Sequence, residues 1–154
     1  MNYKLSLSLF LFVALFSCQS TPNQAEIDAQ QALWEEVMAI HDEVMPKISE
    51  MNQISREFKK IEEKESDLFE SYREPIIMSR ERLEAAEEGM FSWMNEFQPL
   101  DKLRESKSHE EILAYLNGEK EKIAKVKDDM LNSLSGGIEL LDKFETLSQQ
   151  ENAE

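Results

Sequence analysis

The chain has 154 residues, 32 of them Asp or Glu against 17 Lys or Arg, for a net charge of −15. Such acidity excludes a phosphate-gripping nucleic-acid binder, which needs a basic surface, and a single cysteine excludes an internal disulfide. Glycine and proline are scarce, at four each, and no apolar/polar alternation is sustained, so the expectation is all-α.

The opening stretch, MNYKLSLSLFLFVALFSCQS, places Lys4 before an apolar run that ends at the small residue Ser17. Residues 1–17 therefore read as a secretory signal peptide. The run is shorter than the ~20 residues that span a bilayer. Leu15-Phe16-Ser17-Cys18 resembles the lipobox of bacterial lipoproteins, with Phe16 bulkier than usual at its position. The resemblance implies cleavage before Cys18 and acylation of its sulfur and new N-terminus. The first expected partner is thus a lipid bilayer, engaged through Cys18; each acyl CH₂ buried there contributes ~0.8 kcal/mol. Cleavage would remove Lys4 alone among the charges, taking the net value from −15 to −16. An acidic body of this kind stands off anionic headgroups. Gln19 follows the cysteine, with neither an acid nor an acidic run, which favours the periplasmic face of the outer membrane.

Residues 18–24 form the lipidated cysteine and a polar tether. A first helix is expected over 25–62. Its inner stripe, which includes Ile27, Trp34, Val37, Met38, His41, Val44, Met45 and Ile48, alternates steps of three and four as one helix face does. Pro46 lies within it and removes a backbone donor to the Asp42 carbonyl. The turn is placed near 63–66 and a second helix over 67–97. Pro75 is a kink or restart, with Ser71 and Glu74 spaced as a capping box before it. Arg80 interrupts the stripe of this helix as a snorkelling residue does.

Residues 100–107 read as a polar connector. Ser108 and Glu111 form another capping box, opening a short helix over 109–116 that Asn117-Gly118 would end. The last helix is expected over 119–148, with Gly136-Gly137 inside it as a bend or a close packing contact, and 149–154 as a frayed tail. Three long amphipathic helices with short links give an up-down-up antiparallel three-helix bundle with one short extra helix, over 25–148.

Counting outward from a turn at residue 65 sets His41 opposite residue 89 or 90 and Met38 opposite Trp93 and Met94. One layer would then hold Met38, His41, Met45, Met90 and Met94, with Trp93 as an indole shield. Thioethers and imidazole suit Cu(I) or Ag(I), so a periplasmic soft-metal protein is the alternative function. The plainer reading is core packing, since methionine fills irregular gaps and tryptophan anchors bundles. The Asp42 carbonyl, freed by Pro46, is the expected partner of a His41 ring nitrogen. Asp42 and Glu43 are expected to be solvated, and His109 exposed at a helix start. A di-iron carboxylate site needs Glu-x-x-His pairs, and residues 38 and 106 are Met and Ser. No nucleophilic triad or glycine-rich phosphate loop is present.

The segments LWEEVMAIHDEVMPKISEMN (33–52), EEGMFSWMNEF (87–97) and EKEKIAKVKDDMLNSL (119–134) resemble a family of small Bacteroidota lipoproteins loosely labelled "viral A-type inclusion protein". That label reflects coiled-coil similarity and implies no viral function. The best-matching pieces are His41 to Lys47 and Trp93-Met94, while Pro75 and Gly136-Gly137 depart from the family's helical pattern. The resemblance implies a lipid-anchored helical bundle and brings no catalytic residue with it. The function expected is a non-catalytic envelope module that binds or supports an envelope protein, and no cofactor is expected outside the Cu(I) alternative.

Overall fold

Three of the helices of this protein start where a side chain replaces a missing backbone partner, and two start at a proline. The computed structural model describes residues 23–64 and 66–151. In it Asn23 caps the first helix, accepting from the Glu26 N–H at 3.1 Å while the Glu26 carboxylate accepts from Asn23 N–H at 3.0 Å. Together they satisfy orphan donors of the first turn. Helix α1 then runs Gln24–Val44 and α2 Lys47–Glu62. Ser66 Oγ accepts from the Phe69 N–H and opens α3, Asp67–Glu96. A short α4, Leu100–Ser106, leads to α5, His109–Glu151. The expected Ser108/Glu111 box opens α5, with Ser108 N–H donating to Glu111 at 2.8 Å and Glu111 N–H to Ser108 Oγ at 3.3 Å. Among the described residues there is no strand, and no helix is long and apolar enough to cross a membrane.

Five expectations about the helices and their bounds require correction. The helix expected over 25–62 is divided at Met45-Pro46. Both residues keep right-handed helical dihedrals, and Met45 N–H still reaches the His41 carbonyl. Pro46, however, has no N–H for Asp42, and the next turn closes through a three-residue bond from Ile48 N–H to the Met45 carbonyl at 3.3 Å. The connector expected at 100–107 contains α4, whose Leu100 and Leu103 are buried. The short helix over 109–116 and the long one over 119–148 are one helix of 43 residues. Asn117 does not terminate it; its amide donates back to the Leu113 carbonyl. The last helix runs further than expected, since Gln149 and Gln150 are still helical. Pro75 lies exposed inside α3 with the helix unbroken around it. The capping box expected there does not form, and Ser71 Oγ donates to the Asp67 carbonyl instead.

Contacts between helices set their directions. Glu36 and Glu43 on α1 meet Lys120 and Lys127 on α5. Both numbers rise together, so these two helices run parallel. Asn52 reaches Glu87, and Glu62 reaches Arg80, so α3 runs back along α2. Tyr72 packs edge-on against Phe144, while Leu83 lies against Gly137, so α3 also runs opposite to α5. The main core lies between these helices and includes Val37, Met51, Phe58, Ile76, Met90, Met130 and Phe144. A second apolar cluster of Leu100, Leu103, Ile112 and Leu116 joins α4 to the start of α5, with Trp34 of α1 packed against it. Gly137 lets α5 come close: a Cβ there would stand 3.1 Å from Ile54 Cγ2 and 3.3 Å from Leu83 Cδ1.

Candidate functional site

His41 lies on the core-facing side of α1, its side chain only 12% exposed. Its Nδ1 is 2.8 Å from Asp42 Oδ1, so the ring is oriented by the neighbouring carboxylate and not by the freed Asp42 carbonyl. Asp42 is solvated as expected, yet it still holds the imidazole. Glu43 is also engaged, by Lys127 at 2.6 Å. Across from His41 stands Trp93, with ring centroids 5.8 Å apart. Trp93 stacks on Phe97 at 4.8 Å, and Phe97 on Tyr115 at 6.3 Å. An aromatic row thus crosses from α1 over the end of α3 to α5. Tyr115 ends the row, its oxygen accepting from the Gln98 N–H at 2.8 Å. Burial pushes the Tyr115 hydroxyl above its ordinary value, opposed by that hydrogen bond and aided by the charge of Glu119.

The five side chains of the expected soft-metal layer are only partly brought together. Met90 is fully buried in the main core, and Met38 and Met45 pack against that core half-buried. Met94 is 40% exposed and lies outside the cluster. His41 meets Trp93 where counting had put residue 89 or 90. A count centred on residue 65 fails because the pairs that set the register, Glu62 with Arg80 and Asn52 with Glu87, are displaced from it by several residues. Among the described residues no group of three or more His, Cys, Asp or Glu is placed to hold a metal ion. Any site in this layer would depend on the thioethers and one imidazole.

A polar cluster near the α4 end was not foreseen. Gln30 is 1% exposed. Its Oε1 accepts from Arg104 Nε at 2.9 Å, and its amide nitrogen lies 3.2 Å from His109 Nδ1. Arg104 also donates to the Ile27 carbonyl. The guanidinium therefore ties α4 to α1, and Gln30 ties both to the first turn of α5. His109 is half-buried, not exposed as expected. The sequence did hold a signal: Gln30 falls between Ile27 and Trp34 at steps of three and four, on the inner stripe. Arg80 is likewise more than a snorkelling residue. It donates to Glu62 and Glu84, and these bonds raise its pKa further.

Three buried polar atoms have no hydrogen-bond partner among the described residues: the indole nitrogens of Trp34 and Trp93, and Glu119 Oε2. The other Glu119 oxygen accepts from Lys122 at 2.8 Å. Residues 1–17, Cys18 and the tether through residue 22 lie outside the described residues. No family model matches the chain, and no curated protein or solved structure is significantly similar to it.

Proposed function

We propose that the chain is a lipid-anchored helical-bundle protein of the bacterial cell envelope, serving as a binding or structural module without catalysis. On this reading residues 1–17 are removed and acylated Cys18 holds the domain at the periplasmic face of the outer membrane. The helices form an up-down-up three-helix bundle, α1 and α2 as one broken rod, with α4 covering an end. The observation that carries the binding role is uncovered apolar surface on one helix. Phe91 and Met94 of α3, one turn apart, are 43% and 40% exposed, and Met78 is 43% exposed. Apolar groups of this size left in water on an acidic body mark a surface that another molecule covers. The row is stacked from Trp93 through Phe97 to Tyr115, with His41 tilted against Trp93, and it is largely buried, which suits packing better than substrate contact.

Fatty-acid labelling of the full chain in cells tests the anchor. Wild type should carry label and fractionate with membranes, and Cys18→Ala should lose both. Label retained by Cys18→Ala would refute acylation at that residue.

Met90 in the main core, with Met38 and Met45 packed against that core and His41 facing Trp93, supports a second reading, a Cu(I) or Ag(I) carrier. Titration with Cu(I) under reducing conditions discriminates. This reading requires Met90→Leu with Met94→Leu to weaken binding about ten-fold or more, which is the loss of one or two soft ligands. Unchanged affinity removes it.

A further inference from the structure

The face of the molecule between α3 and α5, away from α2, carries two adjoining hollows of about 270 Å³ and 330 Å³. They share Arg82, Asn132 and Ser133, so they form one groove along the helix pair. Its α3 wall carries Pro75, Met78 and Ala85, and its α5 wall Gly136 and Leu140. Ser79, Ser133 and Gly136 are small, which leaves room between the two helices. Nothing lies within 4 Å of a Cβ built on Gly136, so α5 has open space at its middle. Met78 supplies an uncovered apolar side chain in the same wall.

The charges along this groove indicate what covers it. Glu74, Glu81 and Glu88 are all exposed and stand seven residues apart. Each lies three or four residues from Met78 or Ala85, so the three carboxylates run as a row along the outer edge of the α3 wall. Among the described residues none of them forms an ion pair, and the same holds for Asp128 on the α5 side. The cations nearby are mostly engaged. Lys125 pairs with Asp129, and Lys143 sits over the Tyr72 ring. Arg82 stands between the two hollows and forms no ion pair among the described residues.

Resting on the binding role proposed above, we infer that this groove receives a basic amphipathic helix of an envelope protein. Its apolar stripe lies on Met78, Ala85, Gly136 and Leu140. Lysines or arginines at heptad spacing meet Glu74, Glu81 and Glu88, as charged edge residues do beside a coiled-coil seam. One acidic residue of the partner meets Arg82 and fixes the register. A second copy of this chain fits worse, because it would bring another −15 charge against an acidic rim.

The test uses the full chain and a synthetic 21-residue helix with leucines on one face and lysines seven apart, followed by fluorescence anisotropy. Glu74→Lys/Glu81→Lys/Glu88→Lys should weaken binding about ten-fold or more, the combined effect of three rim ion pairs. A matched variant, Glu35→Lys/Glu105→Lys/Glu110→Lys, makes the same charge change elsewhere and should change binding about three-fold at most. Gly136→Leu, which fills the groove from a position with room for it, should abolish binding. Equal loss in both charge variants, or undiminished binding to Gly136→Leu, overturns the inference, as does concentration-dependent self-association that Gly136→Leu removes. Peptide binding lost on Phe91→Ala and retained by Gly136→Leu would overturn the groove while leaving the binding role standing.

Discussion

The two adjacent glycines of α5 show how much a single side chain decides. A methyl at position 136 would enter open space, whereas at 137 it would meet Ile54 Cγ2 at 3.1 Å. Helix propensity favours alanine about equally at both sites, so the difference isolates packing. Gly136→Ala is expected to raise stability by about 1 kcal/mol. Gly137→Ala should end about 1–3 kcal/mol below it, the usual cost of overpacking a core. Urea unfolding of both variants measures this, and equal midpoints would contradict the close approach of α2, α3 and α5. Glu111 offers a second residue-scale test. The Ser108 backbone N–H, then its hydroxyl, hold the Glu111 carboxyl below its ordinary value of 4.5. A depressed carboxyl contributes stability above pH 4.5 that is lost as pH falls through the lower folded value. Amide protection in the first turn of α5 should therefore decline on acidification below pH 4.5, and Glu111→Gln should remove that dependence. The buried stripe was visible in the sequence at this scale, because a helix face repeats locally. The partner of His41 was not, because a carboxylate one residue away competed with the freed carbonyl and won.

At the scale of elements, the sequence marked one cap and misplaced several breaks. The Ser108/Glu111 pair opens a helix as its spacing predicts, because a cap depends on three or four consecutive residues, while the Ser71/Glu74 pair inside α3 does not form one. Asn117-Gly118 misled, because its stop signal is worth only ~1 kcal/mol. Against that, Ile112, Leu116 and Ile123 are all fully or nearly fully buried on one continuing stripe. Burying a single such side chain contributes ~1.5–3 kcal/mol, so the helix continues. Gly118 also has nothing within 4 Å of its would-be Cβ, so Gly118→Ala should stabilise by about 1 kcal/mol. It should add to Gly136→Ala, some 27 Å along the helix, since distant sites rarely couple. Thermal unfolding of the double variant checks the sum. Helix α4 escaped notice for the opposite reason: at seven residues it has room for only Leu100 and Leu103 on its buried face, too few to define a period. The two prolines are both exposed yet differ in outcome: α3 continues through Pro75, whereas after Pro46 the ladder passes to the three-residue Ile48-to-Met45 bond.

For the whole molecule, three-dimensional register was the part that local pattern could not supply. It depends on pairs such as Arg80 with Glu62 and Lys120 with Glu36, which join residues far apart in sequence. The expected metal layer depended on a count through the 63–66 turn, and the observed register leaves Met94 in solvent. The same register brings α1 and α5 together as parallel neighbours, which leaves α3 and α5 to form the acidic-rimmed groove. Residue 23, where the tether would attach, lies at the α4 end, so acylated Cys18 would place that end nearest the membrane and leave the groove reachable along the flank. Burial also lifts the Tyr115 hydroxyl above 10.0. For a raised acid the contribution holds below that ordinary value and is lost as pH rises through the folded one. Alkaline unfolding should therefore begin later in Tyr115→Phe than in wild type.

The parallel pairing of α1 with α5 supports every statement about the layer, the groove and the tethered end. Spin labels at Glu35 and Glu121, in a Cys18→Ala background, measure it by pulsed electron paramagnetic resonance. The labels flank the Glu36–Lys120 contact, so the expected separation is below about 20 Å, two helix diameters. A separation beyond about 30 Å, the length of some twenty helical residues, would mean that α5 does not run beside α1 in this direction.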